Sequence, residues 1–406
     1  MPIGTAFHSR TSELCVSQSW RTWSGYLVAS SYETVHDYEY HAIRNTAALI
    51  DISPLYKYDV RGKDAVTLVN RVITRDATKC AIGQALYACL CDGAGKVIQD
   101  GTAFRLSENH FRFHLAEPSL RWLKLNALGM NVEIQECSEE VVALALQGPN
   151  SLGILQQVVD ADLSRLRFFR VASGKVMGTP VLVSRTGYTG DLGYEIWLGC
   201  DQAERIWDIL MAAGKNFGIK PAGMLALDAA RLEAGFILLE VDYTSVEKAL
   251  IPSQKYSPYE ISLGWTVDLK KEHFIGHQAL VEESRRGASR QIVGLEIDLE
   301  GYEKLFHRAG LAPHIPTTIW RGGVPVYRNS KQVGQATTGG WSPALKKYIA
   351  LAMVQKGNTE PGSRVGMEVT VEYERKTVDA QVVKLPFFDP PRKRSLFEKA
   401  QEAAQR

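Results

Sequence analysis

From Gln291 to Leu385 the sequence breaks into short strand-like segments: "QIVGLEIDL", "IPTTIWRGGVPVYR", "KQVGQATTGGWS", "KYIALAMV", "SRVGMEVTVEYE" and "KTVDAQVVKL". β-Branched residues alternate with polar ones, and turn residues separate the segments. Strands that short, spaced that closely, bury their apolar faces only against one another, which predicts a small all-β barrel or sandwich. We place this domain at residues 285–388. "SRRGASR" (284–290) reads as its linker, and 389–406, which starts on a Pro-Pro break, as a basic tail ending in a peripheral helix.

Residues 1–284 have another texture. Helical periodicity is read at 32–46, 63–74, 119–128, 201–218 (with Asp201 as its cap) and 223–235. Strands are read at 48–53, 55–62 and 110–117, with two more in 85–106 around an Asp-Gly turn at Asp92-Gly93. Residues 141–159 read as strand, Gly-Pro turn and helix, and 181–199 as a hairpin. Strands and helices mix without a β-α-β period, so the expected class is α+β with antiparallel sheet, not a doubly wound fold.

Net charge is +2, and aromatics are not interleaved with basic runs, so nothing points to nucleic acid. No apolar run reaches the roughly 20 residues that span a bilayer. The N-terminus lacks the apolar core of an export signal, so a cytoplasmic protein without a membrane partner is expected, its six cysteines reduced. No dinucleotide fingerprint, Walker lysine or GxSxG elbow occurs. His273 and His277 lie one helical turn apart without a third ligand, so no metal is expected.

The stretch "SRTGYTGDLGYEIWLG" (184–199) sets the functional question. Its glycines, Gly187, Gly190 and Gly193, precede a carboxylate, Glu195, in an otherwise apolar strand. Either this is an ordinary hairpin with a solvated glutamate, or the turn aims Glu195 at a polar ligand.

Eight segments, in order, resemble the folate-dependent aminomethyltransferase superfamily, which includes the glycine cleavage T-protein and tetrahydrofolate-dependent demethylases. They are "EYHAIRNTAALIDIS" (39–53), "GQALYACLCDGAGKVIQD" (83–100), "LALQGPNS" (144–151), "RTGYTGDLGYEI" (185–196), "LDAARLEAG" (227–235), "SLGW" (262–265), "FIGHQAL" (274–280) and "TTGGWSPALKKYIALA" (337–352). The resemblance implies a three-domain cloverleaf ring around tetrahydrofolate, its last domain the small barrel. It also implies that Glu195 and Tyr188 bind the folate, with Tyr87 in the pocket and Arg231 near folate or substrate. Arg231 has an alternative reading as a structural ion pair with Glu195, Asp228 or Glu233. A carboxylate suits a reduced pterin because it accepts two parallel hydrogen bonds, from a ring N–H and an exocyclic amine. Asp100 resembles the family's catalytic aspartate, placed to hydrogen-bond, favour a developing cation or relay protons; the alternative is a turn residue.

The departures bear on the substrate. Phe104 and Phe169 stand where the T-protein has tyrosines, "WSGYLVASSYE" (23–33) replaces an early T-protein segment, and residues 243–260 look inserted. Trp23, Tyr26, Tyr32 and Tyr243 are therefore read as lining for a small methylated substrate, by cation–π attraction or stacking, or else as core. The expected activity is a demethylase moving a methyl group to N5 of tetrahydrofolate. The alternatives are an aminomethyltransferase that meets a lipoylated carrier protein, and a non-catalytic folate-binding regulator.

Overall fold

The computed structural model describes residues 1–395. Two compact units emerge: Met1–Ala88 with Gln99–Ala230 and the segment from Asp389, and Cys89–Ile98 with Arg231–Phe388. This division does not follow the expected break at 284/285. It cuts the helix Met224–Glu233, and the barrel's first strand begins at Arg290.

The first unit holds three sheets. One comprises β1 (Ile3–Gly4), β2 (Ser19–Trp23) and β3 (Tyr26–Ser31), in the order β1-β3-β2. The second is built from β4 (Ala47–Asp51), β10 (Val141–Gln147), β11 (Val171–Val176), β12 (Thr179–Ser184), β13 (Gly193–Gly199) and β14 (Ile219–Pro221), in the order β11-β12-β13-β10-β4-β14. The third comprises β5 (Tyr56–Arg61), β6 (Gln84–Cys91), β7 (Val97–Ser107), β8 (His110–Leu115) and β9 (Glu133–Glu136), in the order β6-β7-β8-β5-β9. The tip of the β6–β7 hairpin, Cys89–Ile98, belongs to the second unit.

The six-stranded sheet positions the site because its two faces differ. Val142, Leu144 and Leu146 of β10, Val181 and Val183 of β12, and Tyr194, Ile196 and Leu198 of β13 enter one apolar core. The helix Ala203–Gly214 covers it with Ala203, Ile206, Trp207 and Leu210, an i, i+3, i+4, i+7 stripe. Strand residues alternate between faces, so Ala143, Ala145, Gln147, Ser184, Glu195 and Trp197 line the opposite one. There, the small side chains of Ala145 and Ala143 lie opposite Glu195 and Trp197. The cap of the covering helix is Gln202; Asp201 lies one residue earlier, in a 3-10 turn.

The second unit carries the closed barrel. Its strands are β15 (Arg290–Ile297), β16 (Trp320–Arg328), β17 (Lys331–Ser342), β18 (Lys347–Gln355), β19 (Arg364–Val371) and β20 (Glu374–Val383), in the order β15-β18-β17-β16-β19-β20. Closure removes the exposed edges. Val326, Ala352, Met367 and Val382 are among the side chains that fill it, and Tyr302 and Phe306 of the helix Leu299–Arg308 pack on it. The class is α+β with a C-terminal β-barrel. The helix expected in the tail falls on residues 396–406, outside the described residues; before it, Pro391–Lys393 form a 3-10 turn.

Candidate functional site

Glu195 is partly buried on the polar face of the six-stranded sheet. Thr186 donates its hydroxyl to Oε2 at 2.6 Å and Ser184 donates to the same oxygen at 3.3 Å. Both land on one oxygen, so Oε1 accepts no hydrogen bond from a described residue. Burial pushes the carboxyl up from its ordinary range, and the Thr186 and Ser184 hydroxyls oppose that shift. Trp197 donates its indole N–H to Ser184 Oγ at 3.3 Å, which fixes the hydroxyl beneath the carboxylate. The result is an acceptor held at one oxygen and open at the other.

The glycine-rich turn folds around a residue that sequence reasoning missed. Gln147 is fully buried. Its amide nitrogen donates to the carbonyls of Thr186 and Tyr194 at 3.3 and 3.4 Å, and its Oε1 accepts from the Thr189 hydroxyl at 2.7 Å. A Cβ on Gly187 or Gly193 would come within 2.1 to 2.3 Å of that amide. These two glycines therefore make room for Gln147. Only Gly190 of the three takes a positive φ, +73°. Asp191, in the same turn, accepts from Arg44 at 3.3 Å, and Arg44 also donates to the carbonyls of Thr189 and Ala230. The only sequence hint of this clasp was that Gln147 and Arg44 fall inside the family-like segments.

Asp100 lies on β7, where Tyr87 of β6 donates its hydroxyl to Oδ2 at 2.6 Å. Asp100, Thr102 and Phe104 share one face of this strand by alternation. Thr102 Oγ1 lies 3.2 Å from Nδ1 of His114, its cross-strand partner on β8. The His114 ring lies 3.9 Å from Trp197 and 4.3 Å from Phe104, centroid to centroid. Thus Phe104 is a fully buried packing residue, and the aromatic stack continues through Trp197 and Ser184 to Glu195. Burial, helped by the charges of Arg112 and Lys57, holds the His114 pKa well below the ordinary imidazole range, so the ring is neutral. Burial would raise Asp59 on the same sheet, but hydrogen bonds from His110 and Arg112 hold it well below the usual carboxylate range.

The remaining candidates are dispersed. Tyr188 is partly buried within the glycine-rich turn. Trp23 and Tyr26 face each other across the β2–β3 hairpin, whose two turn residues, Ser24 and Gly25, both have positive φ. Tyr32 is a core residue, packed among Phe7, Cys15 and Ala29, and does not line an open cage. Tyr243 belongs to the second unit and is buried there. So does Arg231, which is fully buried. Arg231 donates to Asp242 at 2.7 Å, to Thr338 and to the Phe236 carbonyl. Asp242 is thus an ion-pair partner beyond those expected from the sequence. Thr337, Thr338 and the Leu238 backbone donate to the same aspartate, so "RLEAG" and "TTGG" build one buried polar knot. Among the described residues, no group of three or more His, Cys, Asp or Glu converges as a metal site, and no helix is long and apolar enough to cross a membrane.

Comparison with known proteins identifies the family. The family profile "GCVT N-terminal domain" matches residues 10–271, and "Glycine cleavage T-protein C-terminal barrel domain" matches 307–389. A protein of Bacillus subtilis named aminomethyltransferase is 34% identical over 356 residues, covering 86% of this chain and 90% of its own. One of Halothermothrix orenii with the same name is 33% identical over 353 residues, with the same coverages. The solved structure of the glycine cleavage system aminomethyltransferase T of Bartonella henselae superposes with a TM-score of 0.81 at 23% identity, over 96% of this chain and 99% of that one.

Proposed function

We propose a reaction from one premise: the chain belongs to the aminomethyltransferase family, whose glycine cleavage T-protein profiles match both its N-terminal region and its C-terminal barrel. It is a folate-dependent one-carbon transferase, and tetrahydrofolate is the group its site serves. The finer reading is that the carbon arrives as an aminomethyl group on a lipoylated carrier and leaves as 5,10-methylenetetrahydrofolate, with release of ammonia. That reading takes the place of the demethylase expected from the aromatic residues, because curated relatives more than 30% identical along most of the chain are aminomethyltransferases.

The observation that carries the folate assignment is Glu195. Its Oε2 is held by two hydroxyls while Oε1 receives nothing from the described residues. Such an oxygen fits an N–H donor on a reduced pterin, a match between an acceptor-only group and a donor edge. When bound, tetrahydrofolate supplies a nucleophilic amine, N5, that takes up the one-carbon unit. The chain's own residues do the rest. Glu195 orients the pterin, with Tyr188 beside it. Asp100, anchored by Tyr87, supplies negative charge and a proton acceptor where cationic character develops. The main gain is alignment of donor and acceptor.

A demethylase remains the second reading, favoured by one specific observation. Phe104 is buried in a ring stack and offers no hydroxyl where the T-protein has a tyrosine. The discriminating experiment supplies tetrahydrofolate with either an aminomethyl-loaded lipoylated carrier or a panel of free S-, N- and O-methylated donors, and reads the folate product by mass. Methylenetetrahydrofolate and ammonia from the carrier support the main reading. Methyltetrahydrofolate from a free donor supports the second. No product from any donor, with no folate binding, removes both.

A further inference from the structure

We propose that Arg392, in the segment following the barrel, is a positioning residue for the folate site and acts through Asp191 of the glycine-rich turn. This rests on the folate reading of Glu195 given above. The expectation from composition was a peripheral tail, but its described part, Asp389–Ser395, packs into the first unit. Arg392 grips Asp191 with two parallel bonds, Nε to Oδ1 at 2.6 Å and NH2 to Oδ2 at 2.8 Å, and NH2 also donates to the Arg44 carbonyl at 2.9 Å. The Asp191 side chain has no solvent exposure. A fork-to-fork pair of this kind fixes orientation as well as distance.

The clasp is reciprocal. Arg185, at the base of the same turn and almost fully buried, donates NH2 to the carbonyls of Ser395, Arg392 and Lys393 at 2.6, 3.2 and 3.3 Å. Those carbonyls lie in and just after the Pro391–Lys393 turn, where a cation meets the negative end of aligned peptide dipoles. Each partner therefore orders the other: Arg185 shapes the tail, and Arg392 holds the turn. Between Arg185 and Asp191 the turn carries Thr186, which bonds Glu195, Tyr188, and Thr189, which bonds Gln147. Arg44 on the inside and Arg392 on the outside hold Asp191 from two sides. Removing the outer arginine leaves a buried carboxylate with only the longer Arg44 contact and the neighbouring Leu192 N–H, and the turn it anchors gains freedom. The pterin then meets a site that must be ordered on binding.

The test uses the full-length enzyme with Arg392→Gln, Arg392→Lys, Arg394→Gln and Glu195→Gln. Arg394 pairs with Asp389 near the surface and serves as the control on the same segment. Two readouts are taken: tetrahydrofolate affinity by quenching of tryptophan fluorescence, and amide hydrogen exchange across residues 186–193 without ligand. R392Q is expected to weaken tetrahydrofolate binding about tenfold, to raise KM for tetrahydrofolate more than it lowers kcat, and to speed exchange in the turn. R392K, keeping charge without the fork, restores part of the affinity, and R394Q behaves as the parent. Unchanged exchange in R392Q overturns the proposal whatever the ligand does. Faster exchange with parental tetrahydrofolate affinity, while E195Q is impaired, also overturns it, because Arg392 is then merely structural. Parental affinity in E195Q identifies a failure of the folate reading itself.

Discussion

Glu195→Gln separates recognition from stability. The Gln carbonyl can keep the hydrogen bonds from Thr186 and Ser184, which places an NH2 group where Oε1 stood. A donor then faces the donor edge of the pterin. Two hydrogen bonds to a charged group are worth roughly 1.5–3 kcal/mol each. Because Glu195 is only partly buried, about half of that sum is a fair expectation, so about 1.5–3 kcal/mol, or roughly 10- to 150-fold in Kd. The unliganded protein should respond in the opposite sense. Burial raises the Glu195 pKa, so the ionised form is the one the fold penalises, and its contribution worsens as pH rises through that raised value. The neutral glutamine removes the penalty, so Tm near pH 7.5 is expected to stay level or rise. The two signs together are diagnostic. Calorimetric titration with tetrahydrofolate between pH 5 and 8 should show parent affinity falling on acidification, as the carboxylate protonates, and E195Q affinity staying flatter. A variant that binds within twofold of the parent refutes the reasoning, as does one that loses affinity and Tm in parallel.

Asp100→Asn should lower kcat by about 10²- to 10⁴-fold while leaving tetrahydrofolate affinity within a few-fold, as read by steady-state kinetics beside binding. Gly187→Ala drives a methyl group into Gln147 and should cost about 1–3 kcal/mol of stability by urea unfolding. Adding Gln147→Ala, which empties that space, should recover part of it, giving a coupling visible in a double-mutant cycle. Asp242→Ala removes the carboxylate that buried Arg231 pairs with at 2.7 Å and should cost about 3–5 kcal/mol, seen as a fall in Tm.

Much of the fold was legible because its strands alternate and its helices carry apolar stripes. Expected strands at 55–62 and 110–117 correspond to β5 and β8, and the hairpin at 85–106 to β6 and β7. The elements that escaped are those whose burial is slight or whose context misleads. The helix His8–Leu14 buries only Thr11 and has no side-chain cap. The helix His277–Arg286 runs into the stretch taken for a linker, because its polar residues outnumber Leu280 and the rest of its apolar stripe. The helix Leu299–Arg308 stood within a run of strands, although Tyr302 and Phe306, four apart, were its signature.

The site was legible at its tips and not at its supports. Glu195 declared itself as a carboxylate interrupting an apolar strand, and the register explains it: the core takes Tyr194, Ile196 and Leu198, so Glu195 and Trp197 must face the other way. Its supports come from across the chain, with Gln147 separated by 42 residues from Thr189 and Asp191 by 201 from Arg392. No local pattern encodes such pairs. The glycines show the consequence most clearly. Read locally, Gly187 and Gly193 were part of a turn before Glu195; in the fold the space beside them is filled by the Gln147 amide. The turn is therefore shaped from within by Gln147 and from both sides by arginines before any ligand arrives. A site organised in advance spends less binding energy on ordering itself, and that is what alignment of a pterin against a one-carbon donor requires.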